Sequence, residues 1–355
     1  MTTLLIIAGL AALLTSWVAL TRVWYHLGDR PRLLRVTTAD GWSLSLWYRA
    51  PLEQRFAQPV VLCHGLGNNH AFFEFRGRSH LARVLAAAGF QVFTVDCRGA
   101  GRSRAPEPAF AEATIDDHID LDVPAILDAV EAETGQSKVL WVGHSLGGVI
   151  GVLASARKAR GRLRALVTIG SPLFFSPRPL FLRALKLGQA LSPAGAFPAR
   201  VLSTMFAPLA GWFPAPAIAH VTAQVDNIDG GDQRVLLATV FADLWRGVLA
   251  QLETWVRTGL LTNANDGSDL RTPALAVRDV PTLVIGGSVD QLAPIDVTQR
   301  FFDEAQATQK QLVLVGKSFG HEHDYGHGDL VVGRNADTDV YPAIVQFLSK
   351  HATTV

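Results

Sequence analysis

The sequence predicts an α/β protein with a mostly parallel, doubly wound sheet, an inserted helical cap and an N-terminal transmembrane helix. From residue 36 to residue 350, short apolar runs rich in β-branched residues alternate with helical patterns. Continuous apolar runs are typical of strands buried on both faces, as they are in parallel sheets. Residues 173–278 interrupt the alternation, and an uncharged run at residues 1–21 precedes it.

The composition is that of a folded protein and excludes several classes. Of the 355 residues, 49% are hydrophobic and 18% are charged, which is enough apolar material for a large core and too much for a disordered chain. A formal net charge of +1 argues against a nucleic-acid-binding protein. Two cysteines are too few for a disulfide framework or a four-cysteine zinc site. Cys63 and Cys97 each lie in or beside an apolar run, so we expect both to be buried and unbridged.

The N-terminal residues 1–25 are predicted to form a membrane anchor. Residues 1–21 carry no charged side chain and are long enough to cross the hydrocarbon core as a helix. A cleaved signal peptide is disfavoured, because no basic residue precedes the run and a cut after Ala19 would leave bulky Trp17 three residues before it.

The basic residues after this run predict its orientation. Positive charge accumulates on the cytoplasmic side of membrane spans, so the bulk of the chain is expected in the cytoplasm. The arginines concerned are Arg22, Arg30, Arg32 and Arg35.

The predicted sheet begins with a hairpin and continues through six buried strands. Apolar and polar residues alternate around Asp40 and Gly41, a turn pair typical of β-hairpins. Residues 36–172 and 279–350 are predicted to form the core domain. The buried strand candidates are PVVLCHG, FQVFTVD, KVLWVGHS, RALVTIGSP, VPTLVIGG and KQLVLVG.

The inserted residues 173–278 are predicted to form a helical cap over the strand ends. A structureless loop of this length is improbable, and the second half of the insertion has a helical pattern. Its first half is rich in aromatic residues that either line an apolar acyl pocket or pack inside the cap. These residues are Phe174, Phe175, Phe181, Phe197, Phe206, Trp212 and Phe213.

The motif Gly143-His144-Ser145-Leu146-Gly147 carries the strongest chemical signal. It follows the apolar run VLWV directly and precedes a helical pattern, which is the context that a nucleophile elbow requires. Glycines on both sides relieve steric clashes in the sharp turn, and the helix N-terminus favours a developing negative charge. Ser145 is therefore the predicted nucleophile.

With this motif in place, residues 36–350 resemble the α/β-hydrolase superfamily, in its serine-nucleophile lipase and esterase branch. The segment His64-Gly65 after the first buried strand matches the H-G segment of the family, and DCRGAGRS at residues 96–103 matches its D-x-R-G-x-G-x-S turn. The resemblance implies that the amides of Leu66 and Leu146 form the oxyanion hole. It also implies structural roles for His64 and Asp96.

A serine nucleophile needs a base and an acid, and the resemblance implies the order Ser, Asp, His. Asp290 follows the strand after the cap, where the family has its acid, whereas Asp296 falls inside the next helix. His321, His323 and His327 compete as the base. The segment YGHGDLVVG is similar to the Y-x-H-x-D segment of acid lipases and polyhydroxyalkanoate depolymerases, which favours His327.

The resemblance implies a serine hydrolase that cleaves carboxylic esters without a cofactor or a metal ion. The apolar cap and the anchor favour a lipid-like substrate, such as a monoacylglycerol or a lysophospholipid, over a short carboxylic ester. A polyhydroxyalkanoate-type depolymerase, a thioesterase and an acyltransferase remain open, because all of them share an acyl-enzyme. A catalytically inactive scaffold that binds an apolar ligand is the non-enzymatic alternative.

Overall fold

The computed structural model places a single eight-stranded sheet at the centre of the chain. The predicted anchor at residues 1–25 lies mostly outside the described residues, and the few described there are helical. Among the described parts of the chain, no helix is long and apolar enough to cross a bilayer, so the anchor stays a prediction. The structure describes residues 8–9, 12–13, 15–17, 19, 31–74, 80–106, 113–177, 179–192, 195–212 and 219–355.

The sheet has the order β1-β2-β4-β3-β5-β6-β9-β10. The predicted hairpin forms as β1 and β2, which pair antiparallel with Val36 opposite Leu44. Strand β2 is antiparallel to β4, and the remaining pairs are parallel. The strands are β1 Arg32–Thr37, β2 Ser43–Arg49, β3 Val60–Cys63, β4 Val92–Asp96, β5 Val139–His144, β6 Leu163–Ile169, β7 Ala196–Phe197, β8 Leu244–Trp245, β9 Thr282–Gly287 and β10 Lys310–Val315.

All six buried-strand candidates form strands of this sheet, with one difference in burial. Strands β3, β4, β5 and β9 are buried along their whole length, as their continuous apolar runs predict. Strand β10 is only partly buried, because it lies at the edge of the sheet and has a neighbour on one side alone.

Helices cover both faces of the sheet, as expected for a doubly wound fold. One apolar layer includes α2, α3, α8 and α10, and the other includes α1, α11 and α13. The helices are α1 Leu81–Ala87, α2 Val123–Thr134, α3 Leu146–Ser155, α4 Pro179–Ala190, α5 Ala199–Phe206, α6 Ala219–Thr222, α7 Gly230–Thr239, α8 Arg246–Thr258, α9 Arg271–Leu275, α10 Ile295–Glu304, α11 Asp329–Val332, α12 Ala336–Asp339 and α13 Tyr341–His351.

The chain reaches α2 through an irregular helical approach. A helical turn at Ile115–Asp117 is followed by a π-helical turn at His118–Asp122, and α2 begins at the next residue. Pro124 is in the first turn of α2 and has no amide to donate, so the helical hydrogen-bond pattern is interrupted there. A π-helical turn widens the helix and turns side chains away from their regular positions.

The stretch between β6 and β9 contains helices α4–α9 and the small antiparallel pair β7–β8. Helix α4 packs against α8, and α5 packs against α7. The last part of this stretch also belongs to the core, because Trp255 of α8 is fully buried in the same apolar layer as α2 and α3. Strand β8 lies on the core as well, where the Trp245 indole donates to the Gly99 carbonyl oxygen at 3.0 Å.

Candidate active site

Ser145 occupies the sharp turn between β5 and α3. Its backbone has φ 53° and ψ −122°, and in the described part of the chain it is the only residue other than glycine with a positive φ. Such a conformation is costly for a residue with a side chain and persists only where the surroundings impose it. A Cβ at Gly147 would lie 2.1 Å from the Cys63 carbonyl oxygen, so this position must be glycine. The predicted nucleophile elbow therefore forms.

The predicted oxyanion-hole residues lie on the two segments that meet at this serine. A Cβ at Gly65 would lie 2.9 Å from the Ser145 Cβ, so the H-G segment passes directly beside the elbow. Leu146 is the first residue of α3, and its amide has no intrahelical acceptor. The Leu66 amide has no backbone acceptor among the described residues. Both N–H groups are thus free to bind a substrate oxygen.

Asp290 and His327 form a buried hydrogen-bonded pair. The His327 Nδ1 lies 2.8 Å from the Asp290 Oδ2, and Asp290 is only 4% exposed. The Asp290 Oδ1 accepts the amides of Leu292 and Ala293, each at 2.8 Å. Burial alone would raise the pKa of Asp290, but His327 and these amides outweigh it and lower that pKa. The ionised carboxylate accepts the Nδ1–H of His327, which leaves Nε2 as the free nitrogen of the ring.

His144 connects the elbow to the segment that carries His327. Its Nε2–H donates to the His327 carbonyl oxygen at 3.1 Å, and the two rings lie 4.7 Å apart. Burial, with His327 as the next cause, lowers the pKa of His144 to about 3, so the ring is neutral. Sequence reasoning missed this residue as a functional one, although its place directly before Ser145 was the available signal.

The other sequence candidates for the base and the acid do not take part in the Asp290–His327 pair. The His321 Nδ1 accepts the Gly316 amide at 3.2 Å, and His323 is 38% exposed beside Glu322. Neither has a hydrogen bond to Asp290 in the described part of the chain. Asp296 is exposed in the first turn of α10. The structure therefore pairs His327 with Asp290, the combination that the longer sequence match favours.

The loop at residues 318–325, for which the sequence offers no role, is fastened to the end of β9. The Asp324 Oδ1 accepts the Ser288 hydroxyl at 2.7 Å and the Lys317 amide at 3.0 Å. These bonds hold Asp324, which lies three residues before His327, against the end of β9, the strand that precedes Asp290.

Asp96 is a structural carboxylate. It accepts the Trp47 indole N–H at 2.9 Å, the amide and ring nitrogen of His70 at 2.8 Å, and the Arg102 amide at 3.0 Å. Burial alone would raise its pKa, but His70 and the amide donors outweigh burial and lower the pKa of Asp96 to about 2. With its oxygens occupied by Trp47, His70 and Arg102, Asp96 has no orienting role towards His327.

His64 and the two cysteines are also packed groups. The His64 Nε2 accepts the Cys97 amide at 3.2 Å, and its Nδ1–H donates to the Gly65 carbonyl oxygen at 2.8 Å. Cys63 and Cys97 are free and buried, with their sulfur atoms 3.6 Å apart. The expectation of buried, unbridged thiols is confirmed.

A partly open cavity adjoins the oxyanion segments. Its core side includes Leu66, Leu146 and Ile150, and its cap side includes Trp245 and Val248. Both predicted oxyanion-hole residues therefore line this cavity.

The aromatic residues in the first half of the cap do not line this cavity. Phe174 is buried, with the guanidinium groups of Arg271 and Arg300 against its ring. Phe206 and Trp212 are 60% and 77% exposed. Phe213 lies outside the described residues. The cavity instead takes its cap side from residues around β8 and the start of α8.

Comparisons with known proteins agree with this architecture. The family described as the alpha/beta hydrolase fold matches residues 58–327. Lipase member N of Mus musculus is 29% identical over 204 residues, which are 54% of this chain and 46% of that protein. The chain thus spans about half the length of the curated relatives it matches.

Two solved structures share the fold. A soluble variant of monoglyceride lipase from Saccharomyces cerevisiae, in complex with a substrate analog, has a TM-score of 0.60 and 17% identity, covering 92% of this chain and 97% of that one. A thermophilic esterase from Thermogutta terrifontis has a TM-score of 0.58 and 20% identity, covering 91% and 100%. The chain belongs to the α/β-hydrolase fold family.

Proposed function

We propose that this chain hydrolyses carboxylic esters of lipid-like acids through an acyl-enzyme on Ser145, as a monoacylglycerol or lysophospholipid lipase or a carboxylesterase. One observation carries the proposal. The serine on the strained elbow lies next to the segment of His327, whose buried pairing with Asp290 leaves a free ring nitrogen. The similar proteins named as lipases, monoglyceride lipase and esterase support ester chemistry.

In the first half-reaction Ser145 attacks the ester carbonyl. The His327 Nε2 takes the hydroxyl proton, and the Oγ–C bond forms as the carbonyl oxygen becomes an oxyanion. The amides of Leu66 and Leu146 bind this oxyanion more strongly than the ground-state carbonyl. The Asp290 carboxylate stabilises the imidazolium of His327 and holds its tautomer.

The first half-reaction ends when His327 gives its proton to the leaving alkoxide, and the alcohol departs from the acyl-enzyme. In the second half-reaction the neutral ring takes a proton from water as the water attacks the acyl carbonyl. The ring then returns this proton to the Ser145 Oγ as the Oγ–C bond breaks and the acid departs. No step requires a group beyond the side chains and amides described above.

The first test is a chain-length series of p-nitrophenyl esters, from acetate to palmitate, with Ser145→Ala as the blank. We expect turnover that peaks at medium or long chains, because the cavity next to the oxyanion donors has apolar walls at Ile150 and Val248. Loss of Ser145 lowers the rate by at least about 10⁴-fold in enzymes of this mechanism. No Ser145-dependent turnover at any length, in folded protein, would overturn the proposal.

Covalent labelling gives an independent check. A fluorophosphonate reacts with an activated serine and should label the wild-type chain at Ser145 but not Ser145→Ala. Labelling without ester turnover would point to an acyl acceptor other than water. No labelling in folded protein would support the binding scaffold instead.

We also propose that the chain is attached to a membrane, with the hydrolase domain on the cytoplasmic side. The support is the uncharged run at residues 1–21, together with exposed apolar side chains on the cap at Met205, Phe206 and Trp212. The Trp17 indole donates to the Met205 carbonyl oxygen at 2.9 Å, which puts both features on one side of the molecule. An apolar surface of this kind is typical of lipid contact.

Vesicle flotation tests the attachment, and reporter fusions test the side. The full chain should float with neutral phosphatidylcholine vesicles, and a chain without residues 1–25 should float far less. Reporters at either terminus should place the C-terminal domain in the cytoplasm. An extracytoplasmic C-terminal reporter would contradict the orientation that the four arginines predict.

A further inference from the structure

The cavity beside the oxyanion hole contains an imidazole that the proposed mechanism does not use. His118 lies in its wall on the π-helical turn and is only 6% exposed. Its Nδ1 lies 2.9 Å from the Asp122 Oδ2. Its Nε2 has no hydrogen-bond partner in the part of the chain that the structure describes. A ring nitrogen without a partner, on a residue that lines a cavity, can bind a hydrogen-bonding group of a ligand.

The surroundings of Asp122 fix the tautomer of His118. The Arg98 guanidinium donates to the Asp122 Oδ1 at 2.6 Å, and also donates to Asp40 at 2.9 Å. Burial alone would raise the pKa of Asp122, but the hydrogen bond from His118 and the charge of Arg98 lower it. The ionised carboxylate therefore accepts Nδ1–H from the ring. The Nε2 is left as the atom of His118 that can bind a ligand in the cavity.

The other polar groups of the cavity select against a charged ligand. The Asp243 carboxylate also lies in the cavity wall, and its Oδ1 accepts the Arg200 amide at 3.0 Å. A carboxylate or phosphate would be repelled by this charge, and Arg98 is already occupied by two carboxylates. The remaining wall is largely apolar, with Leu146 and Val248 among its residues. A hydroxyl fits these constraints, because it can donate to or accept from an imidazole nitrogen and brings no charge.

Resting on the proposed ester hydrolysis, we propose that this cavity is a subsite for a free hydroxyl group of the substrate, bound by the His118 Nε2. The predicted oxyanion donors Leu66 and Leu146 share its wall, so the hydroxyl lies within a few bonds of the scissile ester. Either of two parts of the substrate can carry this hydroxyl group. The hydroxyl belongs either to the acyl group, as in a hydroxy-acid ester, or to the alcohol, as in a glycerol monoester.

Two substrate pairs test the subsite and identify the source. On the acyl side, p-nitrophenyl 3-hydroxybutyrate is compared with p-nitrophenyl butyrate. On the alcohol side, glycerol 1-monobutyrate is compared with propyl butyrate. In the wild type we expect kcat/KM to favour the hydroxylated member of one pair by about three- to tenfold, the usual effect of one buried hydrogen bond. The pair that shows the preference identifies the source.

The variant His118→Phe removes the ring nitrogens and should bring that ratio close to one. His323→Phe is the matched control, because it is the same substitution outside the cavity and should retain the wild-type ratio. His118→Gln keeps an amide that can bond to both Asp122 and a hydroxyl, and should retain part of the preference. It also serves if the phenylalanine variant does not fold.

The outcomes separate the two proposals. Ser145-dependent hydrolysis of the plain esters with no hydroxyl preference in either pair overturns the subsite alone. A preference that persists in both His118 variants overturns it as well. Absence of any Ser145-dependent hydrolysis overturns the ester-hydrolase proposal itself.

Discussion

Two histidine–aspartate pairs lie at the substrate end of this sheet and have nearly the same geometry. The Nδ1–Oδ2 distance is 2.8 Å between His327 and Asp290 and 2.9 Å between His118 and Asp122. All four side chains are buried. The pairs differ in what holds the second carboxylate oxygen, which is two backbone amides for Asp290 and a guanidinium for Asp122.

This difference assigns the two pairs to different tasks. Neutral amides leave the negative charge of Asp290 available to stabilise an imidazolium on His327. Asp122 instead forms an ion pair with Arg98 while it accepts the His118 Nδ1–H, so it orients a ring that lines the cavity. Two features therefore decide whether the histidine of such a pair acts as a base or as a binding group. One is the group that holds the second carboxylate oxygen, and the other is the distance of the histidine from the nucleophile.

The largest expected effect comes from the same substitution made in each pair. His327→Gln should lower kcat for p-nitrophenyl butyrate by on the order of 10⁴-fold, because no other group accepts the Ser145 proton. His118→Gln should lower it by no more than about tenfold, because its ring contributes one hydrogen bond to binding. Steady-state kinetics on both variants measure the contrast. Equal losses would mean that the two pairs share the proton transfer.

The second-largest effect is expected at His144, which bonds to the segment that carries His327. His144→Phe removes the donor to the His327 carbonyl oxygen and should lower kcat by about tenfold to hundredfold through misplacement of the base. The KM should change little, since His144 does not line the cavity. His144→Gln restores an amide donor and should recover part of kcat. A phenylalanine variant with wild-type kcat would reduce His144 to a packing residue.

The smallest effect on catalysis is expected from a third pair, which joins His70 after β3 to Asp96 at the end of β4. Asp96→Asn should destabilise the fold by about 2 kcal/mol at pH 7, the equivalent of the lowered pKa of Asp96, and should leave kcat within about twofold. Because that pKa is lowered on folding, the carboxylate stabilises above pH 4 and loses this contribution as pH falls towards 2.

Urea unfolding of wild type and Asp96→Asn at pH 7, 5 and 3 measures this contribution. The difference in unfolding free energy should be full at pH 7 and shrink at pH 3. A difference that does not depend on pH would assign the effect to packing rather than to the charge of Asp96.

The local sequence was sufficient to predict the nucleophile elbow and the strands of the sheet. The strain at Ser145 and the need for Gly147 arise within a few residues, so a short motif specifies them. The buried strands are equally local, because burial on both faces requires a continuous apolar run. Asp290 could be predicted from its place after a strand end, since the carboxyl ends of parallel strands meet at one edge of the sheet.

Other features depended on distances that a sequence does not contain. Three histidines lie in the seven-residue stretch 321–327 after β10, and the path of the loop decides that His327 meets Asp290. The aromatic residues of the cap were expected either to line a pocket or to pack. The structure buries Phe174 and exposes Trp212, because apolar composition does not specify which side chains the neighbouring segments cover.

The sequence by itself determined the fold family, the nucleophile turn and the order of the chemical groups, because these follow from local strain and from hydrophobic patterns. Only the tertiary structure decided which carboxylate meets which ring, and it brought His118 and Asp243, 125 positions apart, into one cavity wall. The physical reason is that hydrogen bonds and cavities depend on atoms within a few ångströms of each other. The folded backbone sets those distances, and sequence spacing does not.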